Sequence, residues 1–420
     1  MRILQRISPS ARYTRAEVLR YATSKERKQL QRLSRTLRGR RIVHVNAVSA
    51  GGGVAEILKS FGPYLEALGI HCDWYAFNPQ SVPPEFFAMT NRLHNALQGR
   101  SAKFSPADWK RYDRISRQIA AELQALEADV VVINDPQPLG AIRFLPKDGR
   151  YVYISHIDTS QARGPVWRKV EEMIRKFPAV VFSNRSFVHS ELARRTVHIF
   201  TPAIDPLALK QRHVGRRKAR AYLAKYGVPI NGPLVAQISR FDIWKNPLGV
   251  ITAHHQVKQS VPNLQTILVG LKEAKDNPQA DKFYRDVLRV AEQHQSVHVF
   301  FHPLGIRSIP EFTMMAQNAA DIIVQDSLRE GFGLTVTEAM WKKKPVIGGP
   351  ASGIRRQITP KKTGLIALGV DTLANDILLL LDHPAMRRRL GQSAHNSVKK
   401  HFLMHRLVLD HLRLYANIVS

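Results

Sequence analysis

Short β-rich runs, several of them apolar without polar alternation, recur along this chain, and each is followed by a segment long enough for a helix. The run Arg41-Ile-Val-His-Val-Asn46 leads to Gly51-Gly52-Gly53, and Val54-Ala55-Glu56-Ile57-Leu58 then has helical apolar spacing. His71 to Phe77, Asp129 to Asn134, Arg150 to Ser155 and Ala179 to Phe182 continue the series; the third of these five runs reads as a buried parallel strand. A second series covers Pro233 to Ser239, Gln265 to Val269, Val297 to Phe301, Asp321 to Gln325 and Pro345 to Gly348. Between the two series stand Thr201-Pro202-Ala203-Ile204-Asp205-Pro206 and the basic stretch Lys210 to Arg220, which mark a domain boundary.

This alternation predicts an α/β protein with two Rossmann-like, doubly wound parallel-sheet domains, over residues 1–205 and 206–400. Residues 1–40 read as a basic helical extension. The last helical stretch, 401–420, either completes the second domain or packs back on the first. Ligands of such sheets bind outside the carboxyl ends of the strands, so the two domains are expected to face a shared cleft.

Hydrophobic residues make up 44% of the chain, enough for a core in each domain. No apolar run approaches the roughly 18 to 20 residues that span a bilayer. The start MRILQRISPSARYTR lacks an apolar signal region, so a cytoplasmic location is expected. The one cysteine, Cys72, excludes an intrachain disulfide. The formal charge is +30, and residues 1–41 carry thirteen Lys and Arg against two Glu. A basic helix of this kind either touches an anionic partner, nucleic acid or membrane, or is a solvated face whose apolar stripe packs on the first domain.

The residues suited to chemistry fall in loops after strands. Amides at Gly52 and Gly53, at a helix N-terminus, suit a phosphate, although the G-x-G-x-x-G and GxxxxGK[ST] patterns are both absent. Arg240 and Lys245, in Ser239-Arg-Phe-Asp-Ile-Trp-Lys245, bring two cations to a strand end, where they suit a diphosphate on which charge grows as a sugar–phosphate bond breaks. In Ser327 to Trp341 a glycine-containing loop enters a helix. Glu330 suits sugar hydroxyls, Glu338 suits ribose hydroxyls or serves only as a cap, and the amides of Phe332, Gly333 and Leu334 suit a sugar.

Thr335-x-x-Glu338 reads as a capping box that places Glu338 in the first helical turn, which argues against pairing Glu330 with Glu338 as in a glycosidase. His156 and Asp158, in Ser155-His-Ile-Asp158, together with Asp135, Gln137 and Asn95, supply polar groups in the first domain; His156 can take a proton or bond a hydroxyl. No cluster has clear metal spacing, and no Asp-x-Asp motif is present.

RFDIWK followed by REGFGLTVTEAMW, with Glu330 and Glu338 in an E-x7-E spacing, resembles the retaining GT-B glycosyltransferases of family four. NAVSAGGGVAEIL, FFAMTNRLHNALQG, NDPQP, SHID, PAIDPL and SRFDIWKNPLGV are similar to that family's trehalose-forming glycosyltransferring synthases, from about residue 40 to 405. The resemblance implies transfer of glucose from a nucleotide-activated glucose to free glucose, without a metal or other cofactor. Arg240 and Lys245 would hold the donor diphosphate, Glu330 its sugar and Glu338 its ribose. Gly52, Gly53 and His156 would lie near the reacting sugar and its phosphate, and Asp135, Gln137 and Asn95 on the acceptor side. Catalytic roles are expected for His156, Arg240, Lys245 and Glu330.

Relative to the family pattern, Asn134 replaces a His before Asp-Pro-Gln-Pro, Tyr153-Ile154-Ser155 replaces Trp-Arg-Cys, and an acidic stretch is weakened to Lys275-Asp-Asn-Pro-Gln279. The first two changes leave open an alternative acceptor, an anionic lipid or polysaccharide, with the same donor chemistry. A nucleic-acid-binding protein without catalysis has charge as its sole support, and a homo-oligomer is compatible with everything above.

Overall fold

The computed structural model describes residues 2–9, 11–192, 197–271, 278–302, 306 and 308–420. It divides into two units, Met1–Ala203 with Leu403–Ser420, and Ile204–Phe402. In the first, β1 (Leu4–Ile7), β2 (Arg41–Asn46), β3 (His71–Phe77), β4 (Val130–Asn134), β5 (Tyr151–Ser155), β6 (Ala179–Phe182) and β7 (Val197–Ile199) form one sheet in the order β1-β3-β2-β4-β5-β6-β7. All neighbours are parallel except β1, which pairs antiparallel with β3, Leu4 opposite Phe77. Every residue of β4, β5 and β6 is buried, as unbroken apolar runs covered on both faces require.

The second unit holds β8 (Leu234–Arg240), β9 (Gln265–Leu271), β10 (Val297–His302), β11 (Ile322–Gln325), β12 (Val346–Gly348) and β13 (Leu365–Ile366), all parallel, in the order β10-β9-β8-β11-β12-β13. Each unit has its own apolar core, one around Val131, Ile133, Tyr153 and Phe182, the other around Val235, Leu268, Val324 and Ile347. The doubly wound α/β reading therefore holds for both sheets.

Strand order reverses between β2 and β4 in the first sheet and between β8 and β11 in the second. At such a switch point the loops leave toward opposite faces and open a crevice. The loops after β2 and β4 contain the glycines 51–53 and Asp135; those after β8 and β11 contain Lys245 and Glu330.

The single helical extension expected over residues 1–40 is corrected. Leu4–Ile7 is an edge strand, because Ile3 and Leu4 are core residues whose amides donate to Glu122 Oε1 (2.7 Å) and Oε2 (2.9 Å), while Arg6 pairs with the buried Asp73 (2.5 Å). Two helices follow, Arg15–Val18 and Ser24–Thr36, each opened by a reciprocal capping box, Thr14 with Glu17 and Thr23 with Glu26.

The C-terminal helix Met404–Val419 belongs to the first unit. It packs on Ser24–Thr36 and on Gly53–Ala67; Tyr415 Oη lies 3.0 Å from His44 Nε2, and Arg413 donates to Gln29 Oε1 (2.7 Å). Among the described residues, no helix is long and apolar enough to cross a membrane.

Candidate functional site

In the second unit the loops after β8 and β11 are fastened to one another. Phe241, one residue past β8, is buried where a Cβ on Gly270 would come within 2.0 Å of its ring, so the glycine of β9 makes room to anchor the loop. Asp242 Oδ1 accepts from the Trp244 amide (2.9 Å), and its Oδ2 lies 3.3 Å from the Arg240 guanidinium. Asn246, at φ +49°, caps the helix Pro247–Lys258 by accepting from the Gly249 amide (3.3 Å). Its Nδ2 donates to Asp326 Oδ2 (2.8 Å), and the Leu328 amide donates to Trp244 O (2.7 Å).

Between these tethers Lys245, 8% exposed, donates from Nζ to Glu330 Oε2. Its backbone oxygen accepts from Gln237 Nε2 (2.7 Å). Burial pushes the Asp326 carboxyl up to about 6, against the opposing Asn246 hydrogen bond.

The loop from Glu330 turns at Gly333, which sits at φ +87° and caps the helix Leu334–Trp341; a Cβ there would stand 3.2 Å from Glu330 Cγ. Gln357 Nε2 donates to the carbonyls of Phe332, Gly333 (3.2 Å) and Gly353 (3.2 Å), and Thr337 Oγ1 donates to Gln357 Oε1. With these carbonyls engaged, the amides of Phe332, Gly333 and Leu334 belong to a helix N-terminus of fixed direction.

The capping box expected at Thr335 and Glu338 does not form. Because Gly333 in the left-handed region starts the helix, Thr335 is already its second residue and bonds Gln325 Oε1 (3.1 Å), while Glu338 falls beyond the first turn. Glu338 is buried and pairs with Lys210 (2.7 Å). Lys342 lies alongside, donating to Gln211 Oε1 (3.0 Å) and Glu338 O (3.3 Å), and burial lowers its ammonium to about 7.

In the first unit Gly51 takes φ +81°, Gly52 is the N-cap, and the helix Gly53–Ala67 follows β2 as the strand–turn–helix pattern predicts. At Gly52 an added Cβ would meet just Val48 Cγ2, at 3.9 Å. Asn134 ends β4 and is 1% exposed; its Nδ2 donates to Val45 O (3.1 Å), and its Oδ1 lies 3.0 Å from His156 Nε2. The His156 amide donates to Asp135 Oδ1 (2.8 Å).

Asp135 has φ 63° and ψ 174°, a region nearly reserved for glycine, held by its own amide donating to Ile154 O (2.9 Å). His156 and Asn134 line a small, partly open cavity of about 20 Å³ with His44, His411 and Phe61. Burial lowers the pKa of His156, partly offset by Asp135.

His156 and Asp135 thus come together. Gln137 lies on the short helix Pro136–Leu139, against which the Asn95 helix, Pro84–Leu97, packs. Asp158 is buried and accepts from the amide (3.0 Å) and hydroxyl (2.6 Å) of Ser160. Of the weakened acidic stretch, residues 275–277 lie outside the described residues. Among the described residues, no group of three or more His, Cys, Asp or Glu could hold a metal ion.

Sequence reasoning missed Asn246, Asp326, Gln357 and Lys210. Asn before Pro at a helix start is a cap signal that would have found the first; the others depend on contacts distant in sequence.

Residues 219–397 match the family Glycosyl transferases group 1, and residues 44–189 match Trehalose synthase, N-terminal domain. The protein is a glycosyltransferase. It is 35% identical to the trehalose synthase of Pyrococcus horikoshii over 93% of this chain and 92% of that one, and 34% identical to that of Rubrobacter xylanophilus over 93% and 94%. The chain belongs to the trehalose synthase family. An α,α-trehalose-phosphate synthase (UDP-forming) from Burkholderia xenovorans, solved in complex with glucose 6-phosphate, has the same GT-B fold, at TM-score 0.71 and 14% identity over 90% of this chain and all of that one.

Proposed function

We propose that this protein is a retaining glycosyltransferase that moves glucose from a nucleoside-diphosphate glucose to free glucose, forming α,α-trehalose. The observation that carries the reading is the Lys245–Glu330 ion pair at the switch point of the second sheet, which sets a cation for the diphosphate beside a carboxylate for the sugar. Arg240 and Lys245 stabilise charge as it develops on the leaving diphosphate. Glu330 and the amides of Phe332, Gly333 and Leu334 orient the glucose, and Glu338 takes the ribose hydroxyls, sharing its carboxylate with Lys210.

The leaving phosphate accepts the acceptor's proton on the face it departs from, so retention requires neither a protein nucleophile nor a metal. In the first unit, the amides of Gly52 and Gly53 at a helix N-terminus suit a phosphate. His156, Asp135, Gln137, Asn95 and Asp158 select the sugars. A cytoplasmic setting accords with the single buried thiol of Cys72. Product analysis with nucleotide sugars tests the assignment.

A second reading concerns the charge. Lys25, Lys28, Arg32 and Arg35 are exposed along one side of Ser24–Thr36, opposite the buried Leu30, Leu33 and Ser34. We propose that this stripe attracts an anionic surface, either a lipid carrying the acceptor or a membrane that localises the enzyme. Binding to phosphatidylglycerol vesicles that disappears at high salt supports it, and equal binding to neutral vesicles contradicts it.

A further inference from the structure

We infer that Asn134 is a positioning residue whose side-chain amide fixes the His156 imidazole with its proton on Nε2 and its lone pair on Nδ1. The assignment of the ring stands on geometry alone; its consequence for turnover rests on the transferase reading above.

Asn134 Nδ2 lies 3.1 Å from Val45 O and 3.4 Å from Val132 O. Both are carbonyl acceptors, so the amide atom facing them is the NH2 group, and the atom left over, Oδ1, can do nothing but accept. That oxygen lies 3.0 Å from His156 Nε2. An acceptor at this distance requires a hydrogen on the ring nitrogen, and a neutral imidazole then keeps its lone pair on the other one.

The backbone under the ring is held independently, by the His156 amide on Asp135 Oδ1. Asp135 bears the backbone strain noted above, and strain maintained by several hydrogen bonds collects where a side chain must be aimed. Asn134 itself closes a fully buried strand, so its amide cannot swing away without giving up the bond to Val45 O.

Burial, not the neighbouring charge, keeps the ring neutral. Asp135 on its own loop favours the cation, whereas burial disfavours it. His44 from β2 and His411 from the C-terminal helix line the same cavity, and burial holds each of them neutral as well. A neutral ring anchored through Nε2–H presents Nδ1 as an acceptor for a sugar hydroxyl, a role that an imidazolium, with two donors, cannot fill.

The test uses the full chain labelled with 15N-histidine, long-range 1H–15N correlation spectra, and His156→Gln to assign the signal. The wild type should show the Nε2–H pattern at neutral pH without any substrate. Asn134→Leu should lose this single pattern, and kcat should fall on the order of 10- to 100-fold, as when a hydrogen-bond partner that orients a histidine is removed. Donor KM should change by less than about threefold, marking a loss in the transition state.

Asn134→Asp keeps an acceptor oxygen. It should retain the Nε2–H pattern, raise the His156 pKa and recover part of kcat, with the pH–rate limb shifted to alkaline pH. An Nδ1–H pattern in the wild type, or an unchanged pattern and kcat in Asn134→Leu, overturns the inference. If the wild type makes no disaccharide, the spectra still decide the ring state, so failure of the functional reading is seen separately.

Discussion

Lys245, in the loop after β8, and Glu330, in the loop after β11, form an ion pair with side chains only 10% and 16% exposed, tying the two loops of the second sheet's switch point. Removing one partner leaves the other charge poorly solvated. Lys245→Met and Glu330→Gln should each cost about 3 kcal/mol, and the double variant should cost clearly less than their sum. Urea unfolding measures this, and transferase activity should be lost in all three because both groups serve the donor.

Gly333 combines φ +87° with the approach to Glu330. Gly333→Ala should destabilise the protein by about 1–2 kcal/mol and reduce activity more than stability, since relief of the contact moves Glu330. Parallel unfolding and rate measurements separate the two effects.

Asp326 gives a pH-dependent prediction. Its folded pKa, about 6, stands above the ordinary 3.8, so the fold favours the neutral acid. That contribution is fully present below pH 3.8 and is lost as pH rises through 6. Asp326→Asn keeps an oxygen for Asn246 Nδ2 and should stabilise the protein at pH 8 by at most about 3 kcal/mol, with little gain at pH 3. Unfolding free energies at the two pH values check this.

His44 has the opposite sign. Burial depresses its pKa to about 3, its Nε2 meets Tyr415 Oη, and its Nδ1 has no hydrogen-bond partner among the described residues. The unfolded chain therefore takes up a proton that the folded one refuses, and stability falls as pH drops from 6.5 toward 3. His44→Gln should make the slope shallower in that window by at most about 1.4 kcal/mol per pH unit. Tyr415→Phe, which strips a partner from both His44 and His411, should cost about 1–3 kcal/mol at pH 7 and loosen the C-terminal helix.

Both sheets were legible because parallel strands buried on two faces leave unbroken apolar runs, and Arg41–Asn46, His71–Phe77 and Ala179–Phe182 begin and end where the sequence places them. β1 was not, since Leu-Gln-Arg-Ile on a basic segment carries no such run; the T-x-x-E boxes at Thr14 and Thr23 were the available sign of separate helices. β7 and β13, of three and two residues, are too short to leave a pattern.

At the candidate site, the strand-end loops could be located from glycines and charges. Their fastening could not, because Asn246 with Asp326, Gln357 with Phe332 and Asn134 with His156 are partners of distant sequence position. The misplaced box at Glu338 has a local cause: a left-handed glycine moved the helix start by two residues relative to the Thr335 cap.

Trehalose formation is tested most directly by supplying the purified protein with UDP-, ADP- or GDP-glucose, with and without free glucose, and following nucleotide release and sugar products by chromatography and NMR. α,α-Trehalose is expected when glucose is present, and none in Glu330→Gln. Nucleotide release without trehalose, with every donor tried, would contradict the assigned acceptor, and no turnover of any donor would contradict the transferase assignment of the Lys245–Glu330 site.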